Sequence, residues 1–483
     1  MASEKVLTVD TISPFVRQCE YAVRGELYLA AQERAKEGKN VIYTNSGNPH
    51  ALGQIPITFN RQVLALMTAP FLLERPDVEE IFAKDAIERA KLYLKGVPGG
   101  IGAYGDSRGA PIFRQACADY ITRRDGISAN PENIFITNGA SESVRVCLKT
   151  LIRGEKDGVM VPLPQYPLYS ASVRLYGGQL VGYYLNEETG WGLDMKEMKR
   201  ALDEARSNGI TVRALVFINP GNPTGQCLTE EQLRDLVKFC YHERLVILAD
   251  EVYQENVYAQ GSSFTSSRKV VHQLGAPYSE GAELISFHTV SKGVYGECGM
   301  RGGYFETTNI DPEVVAQMYK VLSINLSPNI LGGAGLALMC NPPQPGDESY
   351  DVFQQEKAQL LQSLKNRARM MTEAFNSAEG ISCQEVEGAL YAFPQITLPQ
   401  GAIDAAKAAG KAPDVFYCLK LLAETGISTV PGSGFGQREN TFHFRTTILP
   451  AEEEFEELLG SFLKFHNNFM ATYGQQIHPR ARL

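Results

Sequence analysis

From about Asn133 to Asp250, short apolar runs alternate with segments of helical period, and no other feature restricts the fold of this chain as strongly. "IFIT" is followed by "SESVRVCLKTLI", "GVMVPLP" by "YSASVRLYG", "LVGYYL" by "MKEMKRALDEARSNG" and "VRALVFIN" by "TEEQLRDLVKFCYHER", and the series closes on "LVILAD". Unbroken apolar strands between amphipathic helices predict a mainly parallel sheet covered on both faces, hence a large α/β domain. In such sheets ligands gather at the carboxyl ends of the strands. The residues just after each apolar run are therefore the candidates for chemistry.

Beyond Arg301 the rhythm changes. A charged helical stretch runs from about Glu348 to Ala378, followed by "ALYAFPQITLP", the helix "DVFYCLKLLAETG", "ISTVPGSGFG", the strand "TFHFRTTIL" and a last helix from Ala451 to about Tyr473. This pattern reads as a second, α+β domain. The prolines and glycine of Asn341–Ser349 are the best boundary signal. The first forty residues read as polar and helical, packed outside the main sheet.

Composition excludes several classes. With 44% apolar and 21% charged residues the chain can bury a core, and a net charge of −9 offers no basic stripe for nucleic acid. The nine cysteines are scattered and never form CxxC, which argues against a disulfide framework or a zinc cluster, and no metal site is expected. No apolar signal core opens the sequence and no apolar run is long enough to cross a bilayer, so the expectation is an intracellular soluble protein. The ending "ARL", Ala481 to Leu483, has the small, basic, leucine pattern of a peroxisomal address.

Four strand ends carry unusual residues. "ITNGASES" opens a helix after Gly139, Ala140 and Ser141, whose amides form a ready phosphate site. "VFINPGNPTG" ends in a rigid turn that can aim Asn222 inward, and "VILADEVY" places Asp250 directly after an apolar strand with Tyr253 three residues on. "SFHTVSKGVYGECGMRGG" sets Lys292 among hydroxyls, with five glycines after it and Arg301 nine residues further. Two cations in so glycine-rich a loop ask for an anion. A phosphorylated aldehyde cofactor needs a lysine for covalent attachment, an anion cradle, and an acid that keeps its pyridine nitrogen protonated. Lys292 would form the attachment. Arg301 with Thr289, Ser291 and the Gly139–Ser141 amides would hold the phosphate, and Asp250 would pair with the ring nitrogen. Asn222 and Tyr253 would reach the ring oxygen, and Tyr166 of "PQYPLY" would stack on the ring.

Other patterns carry less. "GIGAYG" fits GxGxxG but follows a helical segment where a dinucleotide fingerprint needs a strand, and "GASES" lacks the second glycine of a nucleophile elbow. His288 and His443 read as packed, hydrogen-bonded core histidines.

In these motifs the chain resembles the family I pyridoxal-phosphate aminotransferases. "NPGNPTG", "ADEVY", "SKGVYGECGMRGGYFE" and "FHFRTTIL" occur in that family's order, and the resemblance runs from about Ala22 to Tyr473. Within the family, "YAVRGEL", "PQYPLYSAS", "DEVYQEN" and "VPGSGFGQ" are similar to the alanine aminotransferase group. "NSGNPHALGQIPITFNRQVLAL", "DSRGAP" and "SFHTVSKG" are closer still to glutamate:glyoxylate aminotransferases. The resemblance implies the aspartate-aminotransferase-type fold. It would comprise an N-terminal segment over 1–60 contributing to the small domain, a large cofactor-binding α/β domain over 61–345, and a small α+β domain over 346–483. It implies pyridoxal 5'-phosphate on Lys292, with Asp250 and Tyr253 beside it in catalysis. It makes Arg445 the clamp for the substrate α-carboxylate, with Asn222 and Gly47 at the substrate. It also implies a homodimer with shared sites, in which Tyr104 reaches the neighbouring subunit's phosphate. Alanine or glutamate would be donors, and pyruvate, 2-oxoglutarate or glyoxylate acceptors, in a ping-pong transamination. No arginine is marked by its motif as a clamp for a side-chain carboxylate.

Two rival functions keep this fold: a lyase resembling aminocyclopropane-carboxylate synthases, and a non-catalytic binding protein. The first changes the reaction and keeps the lysine, whereas the second predicts a cofactor band that amino acids do not shift.

Overall fold

The computed structural model describes residues 5–21 and 25–474. The "ARL" ending and Ala22–Arg24 of "YAVRGEL" lie outside the described residues. Seven strands form the central sheet: β1 (Ile134–Thr137), β2 (Asp157–Leu163), β3 (Gln179–Tyr184), β4 (Thr211–Ile218), β5 (Val246–Asp250), β6 (Leu284–Thr289) and β7 (Gly303–Thr308). Their order is β1-β7-β6-β5-β4-β2-β3. All run parallel except β7, which is antiparallel to both neighbours. This is the mainly parallel, doubly covered α/β sheet that the apolar runs predict, and β1, β6 and β7 are buried at every position.

One element departs from the sequence reading. The change of rhythm beyond Arg301 does not end the sheet, because "GYFETT" returns as β7 between β1 and β6. Its polar residues disguise it. Glu306 is buried there because the Arg268 guanidinium lies 3.0 Å away, a pairing that offsets the cost of desolvating both charges.

The register brings the functional edge together. Gly303 sits opposite Thr137 on one side and Thr289 on the other, and Asp250 is paired with Ile218. The carboxyl ends of β1, β4, β5 and β6 thus meet the amino end of β7, with the loop from Val290 to Gly302 above them.

Helix α1 (Ala140–Leu151) follows β1 directly. Its N-cap Gly139 has φ 83° and offers no capping side chain, so the first amides of the helix are left for a ligand. The helix Glu230–Glu243 ends its N-terminus differently, in a capping box in which Thr229 and Gln232 satisfy each other's backbone amides.

Beyond a long helix, α2 (Tyr350–Asn376), a three-stranded antiparallel sheet of order β8-β10-β9 is built from β8 (Tyr391–Ala392), β9 (Val430–Pro431) and β10 (Phe444–Thr447). The extended pair Ile42–Tyr43 runs parallel to Ile427–Ser428, and Leu27 and Ala31 share a core with Phe375, Phe444, Phe462 and Phe469. Phe375 packs edge-on against Phe444 at 5.6 Å and against Phe462 at 5.0 Å. Each such fully buried ring contributes about 1.5–3 kcal/mol of transfer free energy, and here the packing fixes the strand that carries Arg445. The same core contains Val252 and Tyr253, which ties the loop after β5 to β10. Among the described residues no helix is long and apolar enough to cross a membrane, and no group of histidines, cysteines and acids could hold a metal ion.

Candidate active site

A cavity of about 190 Å³ opens at the carboxyl edge of the sheet, lined by Gly47, Ala140, Ser141, Tyr166, Asn222, Asp250, Tyr253, Thr289, Ser291, Lys292 and Arg301, and also by Cys298 and Tyr391. A groove of about 560 Å³ between Leu52–Pro56, α2 and Leu449–Glu453 is larger, but its arginine, Arg367, is already spent on the carbonyls of Leu449 and Pro450. Convergent polar groups, among them an Asp250 Oδ1 with no partner, distinguish the smaller cavity.

Its anion end is built on Gly139. Arg301 Nη2 donates to the Asn138 carbonyl at 3.2 Å and to Ser141 Oγ at 3.2 Å, and Nη1 donates to the Cys298 carbonyl at 3.0 Å. A β-carbon on Gly139 would lie 2.3 Å from Arg301 Nη2, so only glycine lets the guanidinium cross the helix start. Thr289 and Ser291 hydroxyls lie 3.0 Å apart, and Thr289 donates to the Gly302 carbonyl at 2.7 Å. With the amides of Ala140 and Ser141 at a helix N-terminus, this is a cradle suited to a phosphate dianion.

At the other end Asp250 is almost fully buried. Tyr169 donates to its Oδ2 at 2.6 Å, while Oδ1 has no partner. Burial pushes the carboxyl up to about 6, against the Tyr169 and Val252 hydrogen bonds and the Lys292 charge, which lower it. An unpaired buried carboxylate oxygen is costly unless a donor cation comes to it. A protonated pyridine nitrogen is such a donor, and the residues present fit pyridoxal 5'-phosphate at both ends.

Lys292 lies between them. Its Nζ donates to the Gly47 carbonyl at 3.3 Å and sits 5.6 Å from the Tyr253 ring centre. Asn222 Nδ2 approaches the Tyr253 hydroxyl at 3.5 Å, and Arg445 Nη1 donates to Asn222 Oδ1 at 3.2 Å. Arg445 is 1% exposed. Its Nη2 is bonded to the Asn45 carbonyl, its carbon lies 4.2 Å from the Tyr391 ring centre, and its Nε is unpartnered. A buried guanidinium with an orphan N–H, facing no carboxylate among the described residues, is a site for a small carboxylate ligand.

All the cofactor residues named from the sequence except Tyr104 and Gly139 line one cavity, and Arg445 joins it through Asn222. The Gly139 amide is spent on the Thr137 carbonyl at 2.8 Å, so the amides left for a phosphate are those of Ala140 and Ser141. Tyr104 does not reach it and is 80% exposed. His443 bonds Gln437 and Glu187 as a core histidine should. His288 packs flat against Tyr120 but neither ring nitrogen has a partner, and burial drives its pKa down to about 3, so it stays neutral. Sequence reasoning missed Tyr169, the second tyrosine of "PQYPLY", and Tyr391. Tyr169 sits on the helix Leu168–Leu175 and Tyr391 opens β8, so both join the site through spatial neighbours that no local pattern marks.

Comparison with known proteins agrees with this geometry. The profile of aminotransferase class I and II matches residues 77–462. Glutamate–glyoxylate aminotransferase 1 of Arabidopsis thaliana is 59% identical, the match covering 97% of this chain and 98% of that one. Alanine aminotransferase 2 of Panicum miliaceum is 52% identical over 97% and 99% of the two chains. The solved structure of an alanine aminotransferase from Pyrococcus furiosus superposes with a TM-score of 0.74 at 24% identity, covering 95% of this chain and all of that one, a likeness of fold.

Proposed function

The chain belongs to the class I and II aminotransferases and is a pyridoxal-phosphate-dependent transaminase, and from that premise we propose that it moves an amino group between L-alanine or L-glutamate and the 2-oxo acids pyruvate, 2-oxoglutarate and glyoxylate. The observation that carries this reading is the cavity lined by Lys292, Asp250 with its orphan oxygen and the Arg301 cradle, to which the buried Arg445 is joined through Asn222.

Pyridoxal 5'-phosphate, when bound, supplies an aldehyde that takes up the amino group and a cationic ring that draws off the electron pair left on the substrate α-carbon. Arg301, Thr289, Ser291, Ser141 and the Ala140 amide would hold its phosphate. Asp250 would keep the ring nitrogen protonated, Asn222 and Tyr253 would serve the ring oxygen, and Tyr166 would pack on the ring. Arg445 binds the α-carboxylate bidentately and so turns the α-hydrogen towards Lys292. Lys292 Nζ would be the base that takes the α-hydrogen as a proton and hands it on. Both acids use the same cavity in turn, hence ping-pong kinetics with parallel double-reciprocal lines.

Arg445→Lys keeps the charge and loses the planar fork. Michaelis constants for alanine and glutamate should rise by about ten- to a hundredfold, more than kcat falls, because a hydrogen-bonded ion pair is lost in ground and transition states alike. Initial rates check this, and unchanged Michaelis constants would place the carboxylate elsewhere.

We propose a homodimer in which the exposed Tyr104 reaches the partner's phosphate cradle, and a peroxisomal address in the "ARL" ending. Initial rates with alanine and glutamate against the three oxo acids test the substrate assignment. Stoichiometric conversion of alanine and 2-oxoglutarate to pyruvate and glutamate supports it. Release of ammonia or a cleaved carbon skeleton would favour the lyase reading, and a cofactor absorbance that no amino acid shifts would favour the binding protein.

A further inference from the structure

Residues 13–21 lie along the helix Leu168–Leu175 and touch it in reverse order of sequence. The short helix Pro14–Arg17 sets Phe15 against Gly177, just past the end of the longer helix, where an added β-carbon would lie 3.0 Å from the Phe15 ring. Cys19 Sγ lies 3.5 Å from the Ala171 carbonyl, midway along. At the far end the Tyr21 hydroxyl lies 2.7 Å from the Tyr166 hydroxyl, and the two rings meet edge-on with centres 6.4 Å apart. The segment is thus an antiparallel strap, anchored at three points and ending over a residue that lines the cofactor cavity.

The helix under the strap serves the site twice. Tyr169, on the helix, donates to Asp250 Oδ2 at 2.6 Å, and Tyr166, two residues ahead of it, lines the cavity. The two tyrosines differ in how they are held. Tyr169 is fully buried and fixed by its bond to Asp250. Tyr166 is only half-buried, in the loop between Pro164 and Pro167, and among the described residues its hydroxyl has no hydrogen-bond partner but Tyr21. An aromatic ring that packs on a ligand has to keep its plane, yet two rotatable bonds let a tyrosine ring tilt. A hydrogen bond at the hydroxyl, the point farthest from the backbone, removes most of that freedom. We propose that Tyr21 is a positioning residue: by hydrogen-bonding the Tyr166 hydroxyl it holds the Tyr166 ring in the plane on which the cofactor packs. This inference rests on the functional reading above and deepens it.

Tyr21→Phe deletes the hydroxyl and keeps the ring, and with Phe15 and Cys19 untouched the strap stays in place. Tyr21 is 38% exposed, so water competes for the bond and the loss is modest: the dissociation constant for pyridoxal 5'-phosphate should rise about three- to tenfold. At saturating cofactor the circular dichroism of the bound cofactor's absorption band should weaken, because a neighbouring ring that tilts freely imposes less asymmetry. A role confined to the stability of the fold would leave that band unchanged. Tyr166→Phe removes the same hydrogen bond from the other side, and adding Tyr21→Phe to it should cost little more, since one bond is lost once. Unchanged cofactor affinity and dichroism in Tyr21→Phe, or losses in the two single variants that add fully in the double, would overturn the positioning role and leave the transaminase reading intact. A wild-type protein that binds no pyridoxal 5'-phosphate would sink that reading itself, and the positioning role with it.

Discussion

Lys292→Ala should lose amino transfer by about four orders of magnitude or more, since the change removes both the covalent anchor and the base that moves the proton. Its place argues for an effect of this size. The amine is the one basic group in the cavity that is bonded only to a backbone carbonyl, that of Gly47, whereas Arg301 is spent on the cradle and Arg445 on Asn45 and Asn222. An amine on a flexible four-carbon stem suits a base that serves two adjacent carbons. Lys292→Arg should be as inactive as the alanine variant, because a guanidinium does not deprotonate in a protein. Both variants should fold and still take up the cofactor, since the phosphate cradle and Asp250 are untouched. Single-turnover spectra with alanine separate lost chemistry from lost binding, and transfer at the wild-type rate by either variant would remove Lys292 from the reaction.

Asp250→Asn is expected to be the second largest loss, of the order of a hundred- to a thousandfold in kcat, with cofactor affinity falling by about ten- to a hundredfold. An amide is nearly isosteric with the carboxylate but has no charge with which to hold the ring nitrogen protonated. The pH dependence carries a second signature. With no cation opposite it, the Asp250 carboxyl is raised from 3.8 to about 6, so over that interval the cofactor-free fold binds more protons than the unfolded chain. Asp250 therefore makes the cofactor-free protein lose stability as pH rises through that window. A cationic ring favours the ionised carboxylate, so cofactor retention should weaken as pH falls through about 6, and Asp250→Asn should flatten that dependence. Cofactor titrations between acid and neutral pH read both effects. A dependence identical in the two proteins would mean that another group meets the ring.

The sheet was legible where burial is symmetric. Strand β5 is apolar up to Asp250 because helices cover both faces, and it reads directly as an unbroken run. Strand β7 was not legible, because Glu306 makes sense inside a sheet only once Arg268 is seen beside it. The same division holds in the site. Asp250 and Thr289 end their strands and Ser141 follows one, so position alone marked them. Tyr391 lies some hundred residues from Lys292 and gains its neighbours only when β8 pairs with β10, a long-range contact that no local pattern encodes. Arg445 sits on a strand that reads as core, and its place came from the family motif "FHFRTTIL". Its burial against Tyr391 and Asn222, with an orphan Nε, now supplies a physical reason for that place.

The most direct test is to reduce the cofactor-loaded protein with borohydride, digest it, and locate the added pyridoxyl mass by peptide mass spectrometry. A single label on Lys292 is the predicted result, and a label on any other lysine, or an unmodified Lys292 peptide from a protein that transaminates, would contradict it.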